Sequence, residues 1–140
     1  MAAATDFVAK GKVLRADGNR VVFAPAGTNY ELHLEGSYDG PLNVPVSARI
    51  RAKGRKLMTV PSGGNFVAPI QGTPRTFQGR VRYADESQVV IHAGVPVLIE
   101  LPTEEDALDL ADGAVTVGEM LNAIVYPGVS FELVPEAVSA

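Results

Sequence analysis

The sequence predicts an all-β protein built from two tandem copies of a small barrel module, residues 1–72 and 73–140, with one short helix in the second copy. Three observations predict it. Short apolar runs of Val, Ile, Leu, Phe and Tyr alternate with Gly, Pro, Asn and Asp punctuation throughout the chain. The segment Gly11-Lys12-Val13-Leu14-Arg15-Ala16-Asp17, followed by Val21-Val22-Phe23, recurs as Gly79-Arg80-Val81-Arg82-Tyr83-Ala84-Asp85, followed by Val89-Val90-Ile91, at a constant offset of 68 residues. A module of that size is marginal alone, whereas 140 residues bury a real core, so the copies should pack on each other or share one barrel.

In the first copy, strands are expected near residues 7–16, 20–25, 30–35, 44–52 and 57–61. Asp17-Gly18-Asn19 reads as a tight hairpin turn, because these residues tolerate positive φ. In the second copy, strands are expected near 75–84, 88–93, 96–101, 114–117 and 123–126. A last strand at 130–134 is matched with 65–70 of the first copy. Glu31-Leu32-His33-Leu34 aligns with Leu98-Ile99-Glu100-Leu101 after a one-residue deletion. The copies differ between their third and fourth strands. There the second copy carries Thr103 ahead of Glu104, Glu105 and Asp106, which suits a capped short helix over 103–111. A second helical turn is expected over 117–122.

Three strands, a loop or short helix, then two or three strands resembles the OB-fold and related small barrels, once in each copy. A single barrel of two interleaved halves is the alternative. The joining segment, Gly63-Gly64-Asn65-Phe66-Val67-Ala68-Pro69-Ile70 and then Pro74-Arg75-Thr76-Phe77-Gln78-Gly79, is similar to repeat-joining segments of uncharacterised bacterial β-rich proteins. That resemblance implies architecture and carries no activity.

Charge is unevenly placed. Residues 1–72 hold nine Lys and Arg against five Asp and Glu, a balance of +4; residues 73–140 hold three against eleven, a balance of −8. The first copy is therefore suited to meet an anion, or the copies to associate by complementary charge. With no cysteine there is no disulfide, thiolate nucleophile or zinc–thiolate site. The opening residues lack a basic, apolar leader, and no run spans a membrane. A cytoplasmic protein without membrane contact is the expectation.

Side chains for catalysis are sparse. His33 and His92 do not fall at equivalent positions, as His33 aligns with Glu100 and His92 with Ala24. Asp17 and Asp85 recur, but at strand ends, where an aspartate accepts bonds from turn N–H groups. Glu104, Glu105, Asp106, Asp109 and Asp112 lack the spacing of a calcium loop and read as a solvated face. Gly63-Gly64 has no following Lys-Ser/Thr and reads as a turn. No serine stands in a nucleophile elbow. The reading is of a non-enzyme, without metal or cofactor.

The pattern that bears on binding is Ser47-Ala48-Arg49-Ile50-Arg51-Ala52-Lys53-Gly54-Arg55-Lys56. On a strand, Arg49, Arg51, Lys53 and Arg55 form a cationic row, continued by Lys56, while Ala48, Ile50 and Ala52 face the core. Such a row can track phosphates, and single-strand binders add an exposed aromatic. Tyr30 and Phe23 share parity with core residues, which leaves Tyr38, in a loop, as the platform. Against this, Glu31 and Glu35 would neutralise the row if their strand lies beside it. The functional expectation is a binding or assembly module acting on a protein partner or on itself. Nucleic-acid binding through residues 49–56 is the alternative, and a small ligand or carbohydrate between the copies a third.

Overall fold

A computed structural model describes residues 3–111 and 113–135. The strands are β1 (Ala9–Asp17), β2 (Arg20–Pro25), β3 (Glu31–Glu35), β4 (Pro45–Thr59), β5 (Phe66–Ala68), β6 (Gln71–Gly72), β7 (Thr76–Ala84), β8 (Gln88–His92), β9 (Pro96–Glu100), β10 (Leu108–Asp109), β11 (Met120–Val125) and β12 (Ser130–Val134). They join one mixed twelve-stranded sheet. Two 3-10 turns, Ala4–Asp6 and Glu105–Ala107, supply the helical content of the described residues. No helix among them is long and apolar enough to cross a membrane.

The hairpins β1–β2 and β7–β8 have one register, 68 residues apart. Lys12 faces Ala24, Val13 faces Phe23 and Ala16 faces Val21; Arg80 faces His92, Val81 faces Ile91 and Ala84 faces Val89. Both ladders carry a bulge at the same place, between Val13 and Arg15 and between Val81 and Tyr83. A bulge sharpens the local twist and lets a strand curl. The glycines ahead of each bulge are demanded by close approach. A Cβ on Gly11 would stand 2.2 Å from the Ala24 carbonyl oxygen, and one on Gly79 2.0 Å from that of His92.

The third strands differ from the sequence alignment. Val22 faces His33 in β2–β3, whereas Val90 faces Leu98 in β8–β9, so the counterpart of His33 is Leu98 and that of Glu35 is Glu100. The second loop is three residues shorter than the first, where one was expected. A slip of two preserves which side chains point inward, so alternation alone does not reveal it.

The segments 44–52 and 57–61, expected as two strands, form the single strand β4. Gly54 is a crossing point and not a turn. A Cβ there would lie 2.9 Å from the Glu100 carbonyl oxygen and 2.6 Å from Leu57 Cδ1. The N-terminal part of β4 pairs with β1 and β12, and its C-terminal part with β9, β10 and β11. Two circuits of pairing result. One runs β1–β2–β3–β12–β4 and back to β1, and the other β7–β8–β9–β4–β11 and back to β7. Strands from 1–72 and 73–140 thus share β4, and one core cluster holds Phe23, Leu32 and Ile50 together with Phe77, Ile91 and Leu121.

The last strand, β12, pairs with β4 and meets β3. Its Phe131 is buried and packs 5.7 Å from Phe23 and 6.2 Å from Tyr38, ring centre to ring centre. The segment matched with it, 65–70, contains β5, which lies along β7. The helix expected over 103–111 is one 3-10 turn followed by β10. Leu108 and Leu110 both pack on the core, a period of two, which favours an extended segment beside Leu57 over a helix. The turn expected over 117–122 gives way to β11, and 114–117 is not a strand. Near the chain start, Ala4 and Phe7 cover Val90, Leu98 and Tyr83 on the outer face of β7–β9, forming a second small cluster.

If these close approaches set the two hairpins, Gly11→Ala and Gly79→Ala should each destabilise by about 1–3 kcal/mol or more in urea unfolding. Gly64→Ala, with open space around it and an ordinary φ, should be near neutral.

Candidate functional site

The alternation expected for β4 holds from Ala48 to Gly54. Ala48, Ile50 and Ala52 are buried, and Arg49, Arg51 and Lys53 point to the other side. The cations nevertheless meet different surroundings. Arg49 is only 16% exposed in its side chain and forms an ion pair through Nη1 with Glu132 of β12. Arg51 is half-buried, with Ser130 on one side and Leu98 on the other. Lys53 has Glu100 beside it in register. The acids next to the row are therefore Glu132 and Glu100. Glu31 and Glu35 are not neighbours, because β12 lies between β3 and β4; Glu35 faces Arg20 instead.

Beyond Gly54 the row bends. In the β4–β11 ladder Ile124 faces Lys56 and Val125 faces Gly54, so Arg55 has no opposite number. This bulge sends the exposed Arg55 into a groove of about 470 Å³ with Arg75, Tyr126, Pro74 and Pro127. Backbone bonds hold the groove's edge, the Tyr126 N–H donating to the Lys53 carbonyl and the Val125 N–H to the Arg75 carbonyl, each at 2.9 Å. Tyr126 is 48% exposed. A smaller hollow of about 240 Å³ on its other side is bordered by Lys53, Arg55, Glu100 and Glu104. Lys56 is exposed one position further along β4.

Tyr38 does not join this site. Its hydroxyl donates to the Pro41 carbonyl at 2.6 Å, and its ring stands edge-on to Phe131. Tyr30 packs on the core and donates to the Ala93 carbonyl at 3.0 Å, tying the first half to the second. The aromatic platform beside the free cations is thus Tyr126, which sequence reasoning passed over as a strand end. Arg75 was missed as well. Both are brought in by the pairing of Thr76 with Ile124, a contact between distant segments that leaves no local signature.

The recurring aspartates differ. Asp85 Oδ1 accepts the N–H groups of Ser87 and Gln88 at 2.8 and 2.9 Å, and Oδ2 accepts the Tyr83 hydroxyl at 2.8 Å. The Ser87 N–H bond, followed by that from Tyr83, holds its carboxyl down at about 2, and the bond to Asp85 raises the Tyr83 hydroxyl above its ordinary value. Asp17 makes no such bonds among the described residues; its turn relies on Gly18 at φ 60°. Turn bonds therefore account for Asp85 and not for Asp17.

His33 lies with Arg15, Arg20 and Asp17 on the outer face of β1–β3, and His92 faces Arg80 across β7–β8. Gly63-Gly64 is an irregular stretch after a bend at Pro61-Ser62, not a turn, with the buried Gln78 donating from Nε2 to the Gly64 carbonyl. In the acidic segment Glu104, Asp106 and Asp109 are exposed, while Asp112 and the Glu105 side chain lie outside the described residues. Among the described residues no three His, Asp or Glu side chains gather as metal ligands.

Comparison with known proteins gives no match to any family model, curated protein or solved structure.

The Asp85 bonds give a pH-dependent expectation. A carboxyl whose folded value is depressed stabilises above its unfolded value and loses that contribution as pH falls toward the folded one. The stability difference between the wild type and Asp85→Ala in thermal melts should therefore be full at neutral pH and shrink between about pH 4 and 2.

Proposed function

We propose that this protein is a non-catalytic binding module that holds single-stranded nucleic acid in the groove of Arg55, Arg75 and Tyr126. Its architecture reads as two small OB-like barrels that share β4 and exchange their final strands. The observation that carries the proposal is an exposed aromatic ring flanked by arginines. Neither Arg55 nor Arg75 has a carboxylate in ion-pair contact among the described residues. A base can stack on the Tyr126 ring while the guanidinium groups take the adjacent phosphates. Lys56 extends the positive edge along β4.

The assembly reading has less support. It needs the basic row of one chain and the acids of another to be free. Here Glu132 meets Arg49, and Glu100 lies beside Lys53, within one chain. A small ligand between the halves also has less support, since β4 and the common core occupy that position.

Fluorescence anisotropy with labelled oligo-dT and oligo-rU at low and physiological salt tests the proposal. Binding should weaken with salt, with a log–log slope of about −1.4 to −2 for two or three neutralised phosphates. Arg55→Glu combined with Arg75→Glu should abolish it, and Tyr126→Ala should weaken it by about tenfold. Arg49→Gln should have little effect. Absence of binding at low salt, or binding indifferent to these substitutions, would overturn the proposal.

A further inference from the structure

A second groove lies apart from the Tyr126 site and shares no residue with it. It measures about 570 Å³ and is bordered by Arg80, Arg82 and His92, by Gly63 and Gly64, and by Val117. That volume suits a small organic ligand. Its charge stands against its surroundings. The segment 73–140 contains only three Lys or Arg residues, Arg75, Arg80 and Arg82, against eleven acids, and two of the three line this one groove. No carboxylate lines it. The adjacent Glu119, which does not line the groove, accepts the Thr116 N–H at 2.7 Å.

The walls are also built and held. Arg80 and His92 face each other across the β7–β8 ladder, so their side chains leave the sheet together. Arg80 Nη1 donates to the Gly118 carbonyl at 2.9 Å, which fixes the guanidinium and leaves its other N–H groups available. Gly64, which lines the groove, is tied to the sheet: Asn122 donates to Gln78 Oε1, and Gln78 donates to the Gly64 carbonyl, both at 2.9 Å. A side chain on Gly63 would close on Gln78, with its Cβ 2.8 Å from Nε2. Beside the cations, Met120 and the 60% exposed Val117 offer an apolar surface.

We infer that this groove binds a small phosphate monoester. The phosphate sits between Arg80, Arg82 and His92, and the organic body lies against Val117 and Met120. Arginine forks match phosphate oxygens in pairs, and a dianion gains more than a carboxylate from two of them.

Phenyl phosphate, inorganic phosphate and benzoate, titrated separately by thermal shift and calorimetry against the full chain, test this. Phenyl phosphate should raise the melting temperature saturably, inorganic phosphate should bind more weakly for want of the apolar contact, and benzoate weakest. Arg82 is exposed and makes no bond among those described, so Arg82→Gln should fold normally and bind phenyl phosphate about tenfold more weakly. Lys12→Gln, exposed and outside both grooves, should bind it as the wild type does. Lack of saturable binding by phenyl phosphate would overturn the inference. So would equal binding by Arg82→Gln, or a benzoate affinity matching that of phenyl phosphate.

Discussion

Everything in this fold turns on the passage of β4 from one circuit of strands to the other. The strand is fifteen residues long, and its two ends belong to different circuits. At the crossing, the backbone of β9 comes so close that only Gly54 fits. One residue later the bulge at Arg55 resets the inward face, so that Leu57 is buried although it lies an odd number of residues after Ala52 and Gly54. A bulge re-aims side chains as well as backbone. Here it moves Arg55 out of the row formed by Arg49, Arg51 and Lys53 and toward Arg75 and Tyr126. The architecture and the candidate site therefore share one cause.

The same crossing decides where charge is spent. Pairing of β12 with β4 brings a strand from the acidic half alongside the basic part of β4. The Arg49–Glu132 pair has one partner about half exposed, and such pairs contribute only about 0.2–1 kcal/mol. Its importance lies in what it removes from the surface. The hold on β12 comes from burial of Phe131 against Phe23, with Tyr38 edge-on, a far larger apolar contribution. Positive charge consequently remains open where β4 leaves β12 behind, at Arg55 and Lys56, and on β7 at Arg80 and Arg82.

Much of this was legible in the sequence, and the rest was hidden for identifiable reasons. The all-β class, the two hairpins and the alternation of β4 follow from local pattern. Gly11 and Gly79 were visible as a recurrence, and the close approach to carbonyls 24 and 92 supplies its cause. Gly54 misled because glycine marks a turn and a tight crossing alike. The register of the third strands was hidden because a slip of two leaves every side chain on its own face. The helix expected at 103–111 rested on acids placed for capping, and the inward leucines at 108 and 110 outweighed them. Tyr126 and Arg75 meet only through strand pairing between distant segments. No local reading joins them, and Tyr38 was preferred simply because it stood in a loop near the basic run.

Cysteine cross-linking tests the β12–β4 pairing most directly, because the chain contains no cysteine of its own. Glu132 faces Arg49 in the β12–β4 ladder, within the Cα separation a disulfide spans. Arg49→Cys with Glu132→Cys, oxidised mildly at low protein concentration, should give a single cross-link inside one chain, found by mass spectrometry of the digested monomer. Phe66→Cys with Glu132→Cys, on strands that do not pair, should give none. Failure of the first pair to form, its formation only between chains, or ready cross-linking of the second would contradict the arrangement.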